Sequence, residues 1–245
     1  MTTAARRGGR PVLLLTRPSD RSSPLAATYE AAGVRTLSWP ILDIQTALEG
    51  APDAQNAQAV VLTSPRALDA VPDAFDLPAY CVGSTTAQAA SEAGYRDVRD
   101  AEGDADDLAA LITQDLTPAD GPLLYLRGRD VSRDINALLP EFTIHEIITY
   151  RAVANPSPPP DVYDAISEGR LAAIAFFSPR TAAIFSEALP EPLRNKLGKV
   201  IAVAMSARVA EKLSNIAFCD VAIADEPTAT SMHAAICGAC GIALR

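Results

Sequence analysis

One strand-to-helix corner occurs twice in this chain, and that repetition is the feature that most constrains its fold. The sequence VVLTSPRALDAV (residues 60–71) is echoed by IAFFSPRTAAIF (residues 174–185), and in both an apolar run leads through Ser-Pro-Arg into a helix-like segment. Three further pairs of segments match at offsets of 111 to 124 residues: 11–15 with 122–126, 82–90 with 203–211, and 103–112 with 227–236. Such nearly constant offsets indicate an ancient duplication.

Short apolar runs in both halves predict strands that are buried on both faces, as in parallel sheets. The clearest runs are residues 12–15, 59–63, 79–83, 123–126, 171–177, 200–204 and 220–224, and weaker ones are 34–39, 96–101 and 143–150. Alanine-rich helical stretches lie between them, and this alternation predicts an α/β fold with right-handed crossovers. Each half supplies five strands, which is enough for one doubly wound sheet.

Two domain arrangements satisfy this pattern. In the first, the two halves form consecutive domains. In the second, the chain crosses over between the domains, so that the first two repeated segments of one half join the last three repeated segments of the other half. The proline-rich segment NPSPPP (residues 155–160) follows the second repeated segment of the second half. A domain border falls there only in the crossed arrangement, which this segment therefore favours.

Charge and hydropathy argue against two classes of protein. The net charge of −9 disfavours nucleic-acid binding, which needs a basic face. No apolar run reaches the roughly 20 residues of a membrane-spanning helix, and residues 12–15 are too few for the apolar region of a signal peptide. We therefore expect a cytoplasmic globular protein that binds neither nucleic acid nor a membrane.

The two Ser-Pro-Arg corners have a structural and a functional interpretation. Serine is a favoured N-cap and proline suits the first helical position, so capping alone explains Ser64 and Ser178. A helix N-terminus beyond a parallel strand is also a site for anions. Two such corners on facing domains would line a cleft with hydrogen-bond donors, and the sequence leaves both interpretations open.

Motifs for the common kinds of catalysis are absent from the sequence. The chain has no Walker A motif, no dinucleotide-binding glycine motif, no HExxH and no GxSxG. Cys237 and Cys240 have the CxxC spacing, but no second pair or histidine cluster completes a zinc site. An enzyme of this sequence would work without a metal or cofactor, through positioning and hydrogen bonds.

Several motifs together resemble uroporphyrinogen-III synthase. They are the two Ser-Pro-Arg corners, YCVGSTTAQAASEAGY, LLYLRGRDVSRDINALL, ITYRAV and EPTATSMHAAI. Each motif is short, but their order and spacing match the family from about Val12 to Ile236.

The resemblance implies the crossed arrangement, with two flavodoxin-like domains whose doubly wound parallel sheets are joined by two extended linkers. Domain 1 would comprise residues 10–39 and 152–245, domain 2 residues 41–150, and the linkers would lie near 39–41 and 150–152. The resemblance also implies a monomeric, cofactor-free lyase of porphyrin, tetrapyrrole and heme biosynthesis. Its substrate hydroxymethylbilane, a linear anionic tetrapyrrole, would lose water and close to uroporphyrinogen III in the cleft between the domains, with its last pyrrole ring inverted.

The resemblance assigns roles to individual residues as well. Tyr150 in ITYRAV would be catalytic and would assist departure of the hydroxyl group. The substrate-binding residues would be Ser64, Thr86, Arg127, Ser178 and Ser206. One corner departs from the family, because Ala204-Met205-Ser206-Ala207 stands where the family has Gly-Pro-Thr-Thr, and only Ser206 keeps a hydroxyl group.

The alternative is a two-lobed small-molecule binding or regulatory protein of the same fold. Such a protein would share the domains and the cleft, but it would not need Tyr150. Formation of uroporphyrinogen III from freshly prepared hydroxymethylbilane separates the two hypotheses.

Overall fold

The chain forms two compact units, and each unit is built around one sheet. The computed structural model describes residues 10–50, 56–71, 76–131 and 133–243. Unit 1 comprises Met1–Asp43 and Val153–Arg245, and unit 2 comprises Ile44–Ala152. The chain therefore passes from unit 1 to unit 2 and back again.

The described part of the chain contains both strands and helices throughout. The strands are β1 (Val12–Leu15), β2 (Arg35–Ser38), β3 (Leu42–Glu49), β4 (Ala59–Leu62), β5 (Ala79–Cys81), β6 (Val98–Asp100), β7 (Leu123–Gly128), β8 (Ile144–Ala154), β9 (Leu171–Phe176), β10 (Ile201–Ala204) and β11 (Asp220–Ile223). The helices are α1 (Ser19–Ala31), α2 (Ser84–Glu92), α3 (Ala105–Asp115), α4 (Ile135–Leu138), α5 (Pro160–Ser167), α6 (Pro179–Ala188), α7 (Glu191–Arg194), α8 (Ala207–Glu211) and α9 (Ala229–Cys240). None of these described helices is long and apolar enough to cross a membrane.

Both sheets repeat one spatial order of strands. In unit 1 the order is β11-β10-β9-β1-β2, and all four neighbouring pairs are parallel. When these five strands are numbered along the chain and read from β2 to β11, the order is 2-1-3-4-5, which is the flavodoxin-like order. In unit 2 the order is β6-β5-β4-β7-β8-β3, so β7 and β8 take the places that β1 and β2 hold in unit 1. The prediction of two flavodoxin-like sheets with two crossings is confirmed.

Each sheet is buried on both faces, which explains why its strands are continuous apolar runs. Leu14 packs into one cluster of unit 1, whereas its neighbours Leu13 and Leu15 pack into a second cluster on the opposite face. In unit 2, Val60 and Val61 likewise belong to different clusters. Because burying one such side chain contributes about 1.5–3 kcal/mol, consecutive apolar residues stabilise both layers of helices against the sheet.

The structure corrects the number of strands in the second sheet. Five strands per domain were predicted, but unit 2 has a sixth strand, β3, which lies beside β8. Pro40 separates β2 from β3 because proline has no N–H with which to continue a ladder. The segment that holds the same place in the second half has no such break and runs on as the single strand β8.

The two Ser-Pro-Arg corners also continue differently. After Ser178 the chain forms the ten-residue helix α6, as expected. After Ser64 it forms only a short 3-10 helix, Pro65–Leu68. The helix predicted at the first corner is therefore reduced to a single turn.

Candidate functional site

The polar residues of interest collect where the strand order of each sheet reverses, which is where ligands of doubly wound folds bind. In unit 1 the strands at this point are β1 and β9, and in unit 2 they are β4 and β7. The residues at the carboxyl ends of these strands are Thr16 with Arg17, Phe177 with Ser178, Thr63 with Ser64, and Arg127 with Gly128. Each unit therefore presents its own set of polar groups at this edge.

At the reversal point of unit 1, Arg17 lies over the ring of Phe177, with its guanidinium carbon 4.5 Å from the ring centroid. Thr16 Oγ1 donates to the carbonyl oxygen of Ala175 at 2.7 Å and ties the two strands together at this point. Burial and the neighbouring charge of Arg21 lower the pKa of Arg17, but a guanidinium remains cationic at neutral pH. None of the ion pairs within the described ranges involves Arg17, and the nearby charge of Asp20 acts on its pKa in the opposite direction to that of Arg21.

The two predicted serines of unit 1 use their hydroxyl groups differently. Ser178 is the N-cap of α6, where its Oγ accepts from Thr181 N at 3.1 Å and donates to Thr181 Oγ1 at 2.8 Å. Ser206 precedes α8 and makes no capping hydrogen bond with its side chain. The Ser178 hydroxyl is therefore committed to the helix, whereas the Ser206 hydroxyl is not.

The corners of unit 2 differ from the prediction in which groups they expose. Ser64 Oγ accepts from Arg66 N at 3.4 Å, at the long limit of a hydrogen bond. Thr86 lies in the first turn of α2, but it is only 4% exposed, while Ser84 and Thr85 beside it are exposed. The first N–H groups of a helix have no partner within it, so the accessible donors of this corner are the N–H and hydroxyl groups of Ser84 and Thr85.

Tyr150 owes its orientation to a β-bulge in β8. Arg127 of β7 lies opposite Ile148, but the next residue, Gly128, lies opposite Tyr150, so Thr149 is the extra residue. Thr149 is buried, and its Oγ1 donates to the carbonyl oxygen of Arg127 at 3.3 Å. A bulge redirects the side chains that follow it, and this one turns the Tyr150 ring across Gly128.

The Tyr150 side chain helps to line a cavity of about 380 Å³ in unit 2. Thr63 Oγ1 and Tyr125 OH lie 3.1 Å apart and line the same cavity. Burial raises the pKa of Tyr125, so its phenol keeps its proton at neutral pH. The charged groups of the lining are Asp104, Asp130 and Arg133. The cavity thus offers hydroxyl groups from three side chains and charges of both signs.

Arg127, predicted to bind substrate, is engaged within the protein. Its Nη2 donates to Glu146 Oε2 at 2.7 Å, and its Nη1 donates to the carbonyl oxygens of Gly128 and Arg129 at 3.0 and 3.1 Å. Asn136 Nδ2 donates to the other carboxylate oxygen of Glu146 at 2.7 Å. The guanidinium therefore holds the segment that follows β7, and a ligand carboxylate would have to replace Glu146 to bind it.

The structure brings four of the six predicted residues to unit 2 and two to unit 1. Tyr150 lines one cavity together with Thr63, which is the residue next to Ser64. Thr63 and Tyr125 in this cavity and Arg17 in unit 1 were not predicted from the sequence. The position of Thr63 and Arg17 directly after a strand was a usable signal, whereas Tyr125 lies inside an apolar run that gives none.

Metal ligands do not cluster in the described part of the chain, where no group of three or more His, Cys, Asp or Glu side chains could hold an ion. Cys237 Sγ lies 3.6 Å from His233 Nε2, and His233 Nδ1 lies 3.0 Å from Tyr29 OH. Cys237 and Cys240 are both buried. The CxxC segment is therefore part of the packing between α9 and α1.

Comparison with known proteins identifies similar sequences and a similar fold. A model of the uroporphyrinogen-III synthase HemD family matches residues 23–234. A uroporphyrinogen-III synthase from Chlorobaculum parvum is 28% identical over 201 residues, which cover 72% of this chain and 78% of that protein. The crystal structure of uroporphyrinogen-III synthetase from Helicobacter pylori has a TM-score of 0.59 and 16% identity, over 94% of this chain and 99% of that one. The family match thus spans most of the chain, and the structural match shows a shared fold.

Proposed function

The chain belongs to the uroporphyrinogen-III synthase HemD family, and we propose that it acts on its substrate through Tyr150, Arg17 and the corners that follow its parallel strands. Its reaction is the cyclisation of hydroxymethylbilane to uroporphyrinogen III, with loss of water and inversion of the last pyrrole ring. The observation that carries the assignment of residues is that Tyr150, whose ring lies across Gly128 after the bulge, lines a cavity together with other polar residues.

The proposed role of Tyr150 is to donate a hydrogen bond to the departing hydroxyl group. A phenol O–H group can donate such a hydrogen bond. Departure of the hydroxyl leaves a cation that the electrons of the pyrrole ring stabilise, so one well-positioned donor is sufficient. The departing hydroxide becomes water by taking up the proton that the pyrroles release as the ring closes, and the hydroxyl groups of Thr63 and Tyr125, 3.1 Å apart in the same cavity, are proposed to hold that water.

The carboxylates of the substrate are proposed to bind local donors. The whole protein is acidic, with a net charge of −9, so long-range attraction does not favour an anionic substrate. The helix N-terminus at Gly83 offers backbone N–H groups, and Ser206 offers a hydroxyl group that makes no capping hydrogen bond. Arg17 offers a guanidinium whose planar fork matches a carboxylate. Arg127 would contribute only by exchanging its bond to Glu146 for one to the substrate.

Replacement of Tyr150 by phenylalanine tests the assignment. The ring would keep its place over Gly128, and only the donor would be lost. We expect Tyr150→Phe to lower kcat for uroporphyrinogen III by about ten- to a hundredfold, with KM and the melting temperature nearly unchanged. Tyr150→Ala, which also removes the ring, is the control for packing and should lower the melting temperature as well. A fully active Tyr150→Phe enzyme contradicts the catalytic role.

We further propose that the enzyme acts as a monomer in the cytoplasm, with residues 10–39 and 152–245 as one functional domain and residues 41–150 as the other. All four cysteines are free thiols, as is usual for proteins of a reducing compartment.

A further inference from the structure

The ring of Tyr150 occupies the space that a side chain at position 128 would need. A Cβ atom built on Gly128 would lie 2.5 Å from Tyr150 Cε2, 2.6 Å from Cζ and 2.9 Å from the phenol oxygen. Ordinary contacts between carbon atoms lie near 3.5–4.0 Å. Any residue other than glycine at this position would therefore compete with the ring for the same volume.

The backbone of Gly128 does not itself require glycine. Its φ angle lies outside the left-handed region that other residues avoid, and it is not among the glycines with positive φ. Gly128 is also the last residue of β7 and is buried. The contact with the Tyr150 ring is thus the feature of this position that excludes a side chain.

The bulge in β8 and Gly128 act on the ring from two directions. The bulge at Thr149 turns the Tyr150 side chain toward β7, and Gly128, directly opposite, leaves the space that the ring occupies. Arg129 N donates to the Tyr150 carbonyl oxygen at 2.9 Å, which fixes the backbone from which the ring projects. The position of the phenol oxygen therefore depends on the empty space at residue 128.

We propose that Gly128 is a positioning residue for the reaction, because the absence of its side chain sets the place of the Tyr150 hydroxyl. This inference rests on the proposed catalytic role of Tyr150. A methyl group at residue 128 would push the ring away by about 1 Å before its nearest atom reached ordinary contact distance. A shift of about 1 Å in a reacting group can lower a rate by about a hundredfold.

The displacement should affect catalysis more than stability. The atoms that the methyl group would meet belong to the far end of one side chain, and no backbone atom is among the nearest ones. The ring can therefore swing aside without a change in the sheet. We expect Gly128→Ala to lower kcat by about ten- to a hundredfold, while KM stays within about twofold.

A double-mutant cycle of Gly128→Ala and Tyr150→Phe tests this dependence. In the Tyr150→Phe enzyme the ring has no hydroxyl group to misplace, so adding Gly128→Ala should lower kcat by less than about twofold. Gly198→Ala is the control, because a Cβ on this exposed glycine of the 3-10 helix Leu197–Lys199 meets its nearest atom, Ala217 O, at an ordinary 3.8 Å. It should leave kcat and the melting temperature unchanged.

The outcomes separate this inference from the proposed function. If Tyr150→Phe is impaired but Gly128→Ala is fully active, the positioning role is wrong and the catalytic role of Tyr150 stands. If Tyr150→Phe is fully active, the catalytic role itself is wrong. If Gly128→Ala lowers kcat by the same factor whether or not the Tyr150 hydroxyl group is present, Gly128 does not act through that hydroxyl group and the inference is overturned.

A second double variant keeps the test decisive if Gly128→Ala does not fold. In Gly128→Ala/Tyr150→Ala the ring is absent and the methyl group has room. If this double variant folds and is as active as the single variant Tyr150→Ala, the result supports competition between the methyl group and the ring. Failure of the double variant to fold would show that the backbone needs glycine for another reason and would overturn the inference.

Discussion

The hydroxyl groups of Ser178 and Ser206 occupy matching places in unit 1, yet the structure predicts different losses of stability when each is removed. Both serines are N-caps that follow parallel strands, β9 and β10. The Ser178 side chain makes two hydrogen bonds, at 3.1 and 2.8 Å, to Thr181. The Ser206 side chain makes no capping bond. Ser178→Ala and Ser206→Ala thus form a matched pair with one difference.

The expected magnitudes follow from these bonds. Loss of a side-chain N-cap costs about 1 kcal/mol, and loss of a further hydrogen bond to the part-buried Thr181 hydroxyl costs about 0.5–1.5 kcal/mol. Ser178→Ala should therefore lower the free energy of unfolding by about 1.5–2.5 kcal/mol. Ser206→Ala has no capping bond to lose, and its change should stay within about 0.5 kcal/mol, the range of ordinary surface substitutions.

The single tryptophan of the chain provides the assay. Trp39 is fully buried in the core of unit 1, and its ring centroid lies 5.5 Å from that of Phe185 in α6, the helix that Ser178 caps. Its fluorescence during urea denaturation therefore reports unfolding of the unit that carries both substitutions. Equal shifts of the urea midpoint in the two variants would refute the reasoning, because they would mean that the capping bonds of Ser178 contribute nothing.

Two other predictions concern charged groups. Asp104 is the N-cap of α3, and its carboxylate accepts hydrogen bonds from the N–H groups of Asp106 and Asp107, which lower the pKa of Asp104. The contribution of this carboxylate to stability should therefore be complete above the ordinary pKa of 3.8 and should be lost as the pH falls below that value. The melting temperature of the wild type should therefore exceed that of Asp104→Asn at pH 7, and this difference should shrink as the pH falls below 3.8. A difference that does not change with pH would contradict the prediction. Arg17→Lys, which loses the fork and weakens the stacking on Phe177, should raise KM for hydroxymethylbilane by about tenfold with little change in kcat. Arg99→Lys, which only alters the exposed pair with Asp97, is its control, and an equal KM in the two variants would exclude Arg17 from binding.

The fold was largely predictable because its signals are local and repeated. Apolar runs that are buried on both faces, with helices between them, predicted the strands of both sheets, and the duplication predicted one doubly wound sheet from each set of five strands. The exception, β3, mixes apolar with polar residues because it lies at the edge of its sheet and is largely exposed along its second half. Its pattern is too weak to be recognised without its partner β8.

The site was less predictable because its geometry depends on strand register. Alternation along β8 gives no sign of the bulge at Thr149, so the contact between Tyr150 and Gly128 could not be anticipated. The same holds for Arg127, whose pairing with Glu146 requires knowing how β7 and β8 align. A family motif identifies the residue type at such a position, whereas the neighbours that orient or occupy its side chain come only from the structure.

The product formed from hydroxymethylbilane tests the central claim most directly. Freshly prepared substrate would be incubated with a catalytic amount of the protein, and the uroporphyrinogen isomers would be separated and quantified beside a control without protein. Closure with inversion of the last ring gives isomer III, and closure without inversion gives isomer I. We predict that isomer III predominates when the wild-type protein is present. The same proportion of isomer I with and without the protein would contradict the account.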